Sequence, residues 1–281
     1  MGPVAAVLLA SIAMMLLSSF VFGLAFGSFL NVVIYRLKTP PWRGGTTKNN
    51  IFGRSFCPEC KTQLKWHDLV PLLSFIYLRS RCRYCHKKIS WQYPIVELIS
   101  GLLWVLIFYK FALPAESASL AEKVGVLDII YYIFILSVFL VIAVYDFKWR
   151  IIPDKIVYPA IVIALIFNVF NFPPDKGGLW GVLLTATAAF LFFFMIFYFS
   201  KGRAMGLGDA KLAFLIGLFL SPLLSIAAFM LAFVIGAASG IILIGLGKKT
   251  LKSQIAFGPF LVLGATITFF FSDFIINFFQ P

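Results

Sequence analysis

The sequence predicts an all-α polytopic membrane protein of about eight transmembrane helices, with a small four-cysteine zinc-binding domain between the first and second. The 281 residues are 61% hydrophobic and only 12% charged, and the mean hydropathy is +0.97. Soluble globular domains carry about 25% charged residues. The composition therefore excludes a soluble protein with a large core, and long apolar segments of this kind are typical of membrane-spanning helices.

The apolar segments divide the chain into three predicted parts: a first transmembrane helix at residues 1–37, a polar domain at 38–92 and a membrane core of about seven helices at 93–281. A basic cluster follows the first segment and none precedes it, so we expect an uncleaved anchor with its N-terminus outside. The later spans are predicted at residues 94–112, 126–146, 155–171, 179–200, 209–221, 223–246 and 257–279. The span at 209–221 is short for about 30 Å of hydrocarbon.

The positions of the basic residues explain the net charge of +13. Of the 24 Lys and Arg residues, 21 lie at Arg36 or in segments 38–92, 148–155, 201–211 and 248–252. With eight spans, these segments all fall on one side of the membrane, which the positive-inside rule makes the cytoplasm. The charge therefore orients the helices and is weak evidence for nucleic-acid binding.

Four cysteines form two close pairs in the polar domain, and 21 residues separate the pairs. They are Cys57, Cys60, Cys82 and Cys85. Disulfides are disfavoured in the cytoplasm, and paired C-x-x-C motifs are typical of tetrahedral zinc. Four thiolates leave no open position for water, so the predicted zinc is structural. His67 or His86 could replace one cysteine, although both are expected on the surface.

Two carboxylates at predicted membrane boundaries are the candidate catalytic residues. Asp209 lies between two apolar segments, where an ionised carboxylate costs about 2.5–3.5 kcal/mol. Asp146 ends an apolar segment, where the dipole of its own helix disfavours an anion. Two carboxyl groups that share one proton supply a general base and a general acid, which together can direct water onto a peptide bond.

Structural roles are the alternative for several of these acids. Asp209 could cap the helix that follows it, and Asp154, after Pro153, could do the same. Gly206 and Gly208 favour the functional interpretation, because paired glycines permit a sharp turn and a close approach of substrate. No Ser-His-Asp set, HExxH motif or phosphate-binding loop is present, and both histidines lie in the polar domain.

The motif Gly206-Leu207-Gly208-Asp209 with Lys211, together with Asp146 and the later Pro153-Asp154, resembles the type IV prepilin peptidases. These are membrane aspartic proteases of the GxGD kind. Further motifs of the family follow in order along nearly the whole chain. They are residues 27–37, the two cysteine pairs, residues 93–98 with Glu97, and residues 257–261.

The resemblance implies that Asp146 and Asp209 are the catalytic pair, with Gly206, Gly208, Lys211, Asp154 and Glu97 in supporting roles. It implies cleavage of prepilin and pseudopilin leaders, after a glycine and usually before a phenylalanine. Cleavage would occur at the cytoplasmic face of the bacterial inner membrane, for type IV pili or type II secretion. Members with the cysteine segment also methylate the new N-terminus with S-adenosylmethionine. No glycine-rich dinucleotide fingerprint marks a site for this methyl donor.

Two other classes of function remain as alternatives. An ion-coupled transporter could bind cations at the aspartates and carry a regulatory zinc module, although the sequence has no convincing internal repeat. The second alternative is a zinc-dependent module that binds nucleic acid or protein and is carried on a membrane anchor. Its basic residues lack an aromatic stacking ladder, and eight spans exceed what an anchor needs.

Overall fold

The computed structural model describes six parts of the chain: residues 3–37, 54–112, 125–171, 177–248, 250 and 255–279. Within these parts the chain is helical apart from turns and two isolated β-bridges, Phe56 to Gln63 and Arg81 to Lys88. Residues 38–53 of the predicted polar domain lie outside them. The chain forms two compact units, residues 1–137 and 138–281. The all-α fold class is confirmed, while the three-part division by topology stays a prediction.

Ten α-helices and one short 3-10 turn, Trp66–Asp68, are present in the described residues. The helices are α1 Pro3–Arg36, α2 Leu73–Tyr77, α3 Gln92–Ala112, α4 Val126–Trp149, α5 Asp154–Asn171, α6 Gly178–Ser200, α7 Leu207–Phe219, α8 Pro222–Gly245, α9 Gly258–Phe270 and α10 Ser272–Phe279.

Six of the described helices, α1, α3, α4, α5, α6 and α8, are long and apolar enough to cross a membrane. The pair α9 and α10 makes a seventh if it counts as one span, but it bends by 77°. The predicted span at 209–221 corresponds to α7, whose 13 residues reach only about 20 Å. The predicted count of eight spans is therefore not confirmed.

The first unit contains a tight antiparallel pair formed by α1 and α3. Gly27 packs against Glu97, and Asn31 donates a hydrogen bond from Nδ2 to the carbonyl of Tyr93 at 3.0 Å. A Cβ on Gly27 would lie 2.7 Å from the Cα of Glu97. The small side chain therefore lets the two backbones approach, as in other membrane helix pairs.

The short helix α7 lies at the centre of the second unit, and nine of its thirteen residues are buried. Gly217 packs directly on Ala186 of α6. The ring of Phe219 lies 5.5 Å from that of Phe139 in α4 and 5.0 Å from that of Phe269 in α9. A helix surrounded in this way is mostly apolar around its circumference, and the charged residues of α7, Asp209 and Lys211, lie near its N-terminus. Other helices cover it, so its length need not match the bilayer.

Candidate active site and metal centre

Asp146 is a buried carboxylate in the last turn of α4, with only 5% of its surface exposed. Its Oδ2 accepts a hydrogen bond from the backbone N–H of Gly258 at 3.0 Å. Gly258 is the first residue of α9, so Asp146 faces the positive end of that helix dipole. This contact offsets the unfavourable position of the anion at the C-terminus of its own helix.

Gly258 is a further site residue, and it lies in the family motif at 257–261. A Cβ at this position would lie 2.7 Å from Oδ2 of Asp146, closer than van der Waals contact allows. Pro259 follows in the first turn of α9, where its missing N–H is no loss. The Gly-Pro pair thus starts a helix against a carboxylate.

Asp209 is the third residue of α7 and is 8% exposed. Gly206 is the residue before the helix and has an extended backbone, with φ −84° and ψ 154°. The N–H of Gly206 donates to Oδ2 of Asp209 at 3.0 Å. Asp209 is therefore not the N-cap residue, because the helix starts at Leu207. Its carboxylate still accepts a backbone N–H at the helix start, as the third helical residue does in a capping box.

Gly208 allows the first turn of α7 to approach the segment between α4 and α5. A Cβ on Gly208 would lie 2.9 Å from the Cβ of Ile152. The close approach at this glycine is therefore to the protein itself. The predicted approach of a substrate to Gly206 and Gly208 stays a prediction.

The two aspartates are close enough for their charges to interact. They come from α4 and α7, whose Phe139 and Phe219 rings make contact further along the same pair of helices. Within the described parts of the chain, no protein group donates a hydrogen bond to the Oδ1 atom of either carboxylate. The arrangement thus presents two carboxyl groups with one unoccupied oxygen each, in a site largely shielded from solvent.

Lys211 joins the first turn of α7 to the first turn of α5. Its Nζ donates to Oδ1 of Asp154 at 2.7 Å and lies 4.9 Å from the ring centroid of Tyr158. Asp154 is the first residue of α5. The predicted capping role of Asp154 is wrong, because the carboxylate hydrogen-bonds to Lys211 rather than to the backbone of its own helix.

Glu97 lies in the first unit, in the second turn of α3. Its buried Oε2 accepts a hydrogen bond from the backbone N–H of Leu72 at 2.9 Å, and Ser28 also hydrogen-bonds to the carboxylate. Leu72 has a positive φ of 57° and immediately precedes α2. Glu97 therefore fixes the start of α2 against the membrane helix α3.

The four cysteines come together as the sequence predicts. One ligand atom from each of them lies within 4.8 Å of the others, and the sulfurs of Cys57 and Cys85 are 3.9 Å apart. Tetrahedral coordination with metal–sulfur bonds of about 2.3 Å places sulfurs about 3.8 Å apart. The cluster contains neither His67 nor His86, so the donor set fits a metal ion bound by sulfur alone.

Each cysteine pair lies in the same backbone turn, which is repeated 25 residues later in the chain. In the first turn the backbone N–H of Lys61 donates to the carbonyl of Cys57, and the backbone N–H of Cys57 donates to the carbonyl of Thr62, both at 3.0 Å. The second turn repeats both hydrogen bonds: the backbone N–H of His86 donates to the carbonyl of Cys82, and that of Cys82 donates to the carbonyl of Lys87. Hydrogen bonds from Thr62 lower the pKa of Cys60 to about 6, which favours the thiolate that metals require.

Asp68 connects the 3-10 turn to the second cysteine pair. Its carboxylate accepts hydrogen bonds from the Nε of Arg83 at 2.7 Å, the N–H of Lys65 at 3.2 Å and the hydroxyl of Tyr84 at 3.3 Å. Burial opposes ionisation, but these donors and the Arg83 charge lower the pKa of Asp68 overall. No sequence motif marks Asp68 as a structural residue, since its partners come together only in the folded segment.

Comparison with known proteins places the chain in a family. The bacterial peptidase A24 N-terminal domain matches residues 21–111, and the type IV leader peptidase family matches residues 133–241. A prepilin leader peptidase/N-methyltransferase of Klebsiella pneumoniae is 34% identical over 202 residues, which cover 72% of this chain and 83% of the relative. The chain belongs to the prepilin leader peptidase/N-methyltransferase family.

Other members of the prepilin leader peptidase/N-methyltransferase family are similar over almost the whole chain. The Burkholderia pseudomallei (strain 1026b) protein is 30% identical, and the alignment covers 96% of this chain and 90% of the relative. The Bacillus subtilis (strain 168) protein is 28% identical, and the alignment covers 92% of this chain and 96% of the relative. No solved structure matches the chain. The predicted resemblance is confirmed, and the transporter alternative gains no support.

Metal removal tests the role of the cysteine cluster. We expect loss of the metal to unfold residues 54–91, because so small a segment has little apolar core and metal binding supplies much of its folding energy. Hydrogen exchange in this segment should then rise strongly, while the helical signal in circular dichroism is retained. Exchange that stays slow after the metal is lost would contradict this role.

Two variants of neighbouring residues provide a matched control for this experiment. Cys85→Ser should lose the metal, since it removes one of the four sulfurs. His86→Asn should keep it, because the imidazole lies outside the cluster and asparagine tolerates the φ of 56° at this position. The comparison of metal content in the purified variants distinguishes a sulfur site from one that includes histidine.

Proposed function

We propose that this chain is a membrane aspartic endopeptidase that cleaves the leader of type IV prepilins and pseudopilins, and that it methylates the new N-terminus. The membership of the family supports both activities. The observation that carries the catalytic assignment is that Asp146 and Asp209 are both buried and lie close enough for their charges to interact, with one oxygen of each held by a backbone N–H. Both lie within the residues matched by the type IV leader peptidase family.

The proposed chemistry uses the two oxygens that no protein group occupies. One aspartate is ionised and takes a proton from water at its Oδ1, and the water oxygen attacks the scissile carbonyl carbon. The other is protonated and gives its proton to the carbonyl oxygen or to the departing amine. The N–H groups of Gly258 and Gly206 hold the Oδ2 atoms and so orient both carboxyl groups before substrate arrives.

The ion pair between Lys211 and Asp154 is proposed to position Asp209. Lys211 lies two residues after Asp209 in the same helix turn, and Asp154 begins a different helix. The pair thus restrains the first turn of α7 relative to α5. Gly208 supports the same placement, because it allows close contact with Ile152.

We infer that the site acts at the cytoplasmic face of the bacterial inner membrane. The clustering of basic residues supports this orientation, because the segment at 148–155 follows Asp146 and the segment at 201–211 contains Asp209. The apolar part of a pilin precursor could then stay in the bilayer while its leader junction reaches the pair.

The metal is proposed to be a structural zinc ion bound by Cys57, Cys60, Cys82 and Cys85. Four sulfur atoms within 4.8 Å of one another support zinc, and four such ligands leave no coordination position for a substrate. S-adenosylmethionine is the proposed methyl donor, which would supply a methyl group to the amine released by cleavage. The described residues contain no glycine-rich loop between a strand and a helix, so we assign no residues to this donor.

Mass spectrometry of a purified reaction tests both activities. The full chain in detergent, given a prepilin and S-adenosylmethionine, should cut after a glycine and add one methyl group to the new N-terminus. Asp146→Asn and Asp209→Asn should each abolish the cut, with metal content unchanged, because each removes an ionisable group from the pair. A cut retained in either variant would remove that aspartate from the mechanism, and a cut without the added mass would remove the methyltransferase.

Gly258→Ala tests the contact between α9 and Asp146. Because the new Cβ would lie 2.7 Å from Oδ2, the carboxylate must shift, and a displacement near 1 Å costs about 100-fold in rate. Gly245→Ala is the matched control, since no atom lies within 4 Å of its Cβ. Equal activity of the two variants in the cleavage assay would show that this contact does not position Asp146.

Lys211→Met tests the proposed positioning role while it keeps an unbranched side chain. We expect kcat to fall about threefold to tenfold, which corresponds to up to about 1.4 kcal/mol, with KM nearly unchanged. Asp154→Asn should produce a similar loss, and Lys211→Arg should recover most of the activity because it keeps the charge. A loss confined to KM would instead place Lys211 in substrate binding.

A further inference from the structure

The short helix α2 presents a dense apolar face outward. Leu73, Ile76 and Tyr77 are 66%, 70% and 78% exposed, and their spacing along the helix places them on one side. On the other side Phe75 is buried and packs edge-on against Trp91, with ring centroids 5.0 Å apart. Three large exposed apolar side chains on a five-residue helix mark a surface that another apolar phase covers.

The contact with Glu97 fixes the depth of α2 relative to the membrane. Leu72, immediately before α2, hydrogen-bonds to Glu97, the sixth residue of the membrane helix that begins at Gln92. Five residues advance about 7.5 Å along a helix. Interfacial helices bury their apolar faces about 5–10 Å into the boundary between headgroups and acyl chains. Counted from the first residue of this apolar helix, the start of α2 lies within that range.

A basic cleft lies directly after α2 in the chain. It has a volume of about 480 Å³ and is lined by Leu78, Arg79, Arg81, Cys82, Arg83 and His86. Arg83 is paired with Asp68. Arg79 and Arg81 are exposed and form no ion pair within the described parts of the chain. Two unpaired guanidinium groups beside an apolar helix match the phosphate of an anionic lipid whose acyl chains cover that helix.

We propose that α2 lies in the membrane interface and that Arg79 and Arg81 bind the headgroup of an anionic phospholipid. A free phosphate would satisfy the arginines but leave Leu73, Ile76 and Tyr77 uncovered. The depth set by Glu97 favours lipid over a peptide partner. This inference requires only that the chain is embedded in a membrane, and it does not depend on the proposed peptidase activity.

Photocrosslinking of the full chain in lipid vesicles tests the position of α2. A photoreactive amino acid at Ile76 should form adducts with lipid, and the same group at Glu59, an exposed residue of the first cysteine pair, should form few. Equal lipid adducts at the two positions, or none at Ile76, would overturn the proposal. So would an adduct with added prepilin in place of lipid, because the face would then be a peptide-binding surface.

The arginine site is tested by the headgroup preference at Ile76. Adducts from mixed phosphatidylglycerol and phosphatidylcholine vesicles should favour phosphatidylglycerol, and Arg79→Gln with Arg81→Gln should reduce its capture by about fivefold for each arginine. The double variant Lys61→Gln with Lys65→Gln removes the same amount of charge elsewhere in the segment, and the capture of phosphatidylglycerol should change little. An equal fall in both double variants, or no headgroup preference, would overturn the assignment.

Metal content provides the control for folding in this second experiment. All variants should keep their metal, because none of the four lysine and arginine positions supplies a sulfur ligand. If the double arginine variant loses its metal, the single Arg79→Gln variant replaces it, with an expected fall of about fivefold. An unchanged capture of phosphatidylglycerol in that folded single variant would also contradict the proposal.

Discussion

Each buried carboxylate in the described parts of this protein accepts a hydrogen bond from a backbone N–H at the start of a helix. Asp146 accepts from Gly258 at the start of α9, Asp209 from Gly206 before α7, and Glu97 from Leu72 before α2. Backbone N–H groups at helix N-termini have no partner within their own helix, and the helix dipole there favours an anion. In a membrane protein with few polar groups, a helix start is therefore an economical way to stabilise a buried acid.

This constraint explains where α7 and α9 begin. Each of these helices starts beside a buried aspartate, so that the N–H of Gly206 reaches Asp209 and the N–H of Gly258 reaches Asp146. The C-terminal end of α7 also has a partner from another helix. Nδ2 of the buried Asn168 in α5 donates to the carbonyl of Leu218 at 3.0 Å. Unpaired backbone groups in a membrane cost several kcal/mol each. A short internal helix therefore needs partners at both ends.

Local patterns were sufficient to place most helices and to select the main site residues. The predicted spans at 126–146 and 155–171 differ from α4 and α5 by only a few residues, since long apolar runs mark membrane helices. The cysteine spacing predicted the sulfur cluster, and the misplaced charge of Asp146 identified it as unusual. Hydropathy could not predict the break between α9 and α10 or the buried position of α7, because both depend on how the helices pack.

Long-range partners were the other part that local patterns could not supply. Asp146 and Gly258 are 112 positions apart, and Lys211 and Asp154 are 57 apart, so neither contact is encoded in a local motif. A residue such as Asp154 has a good local role as a helix cap, worth about 1 kcal/mol, yet it pairs with Lys211 instead. The partner Lys211 is only 17% exposed, so its charge depends on a carboxylate from the neighbouring helix to replace part of its hydration. The sequence therefore specifies which groups are costly to bury, and the packing of the helices determines how each of them is stabilised.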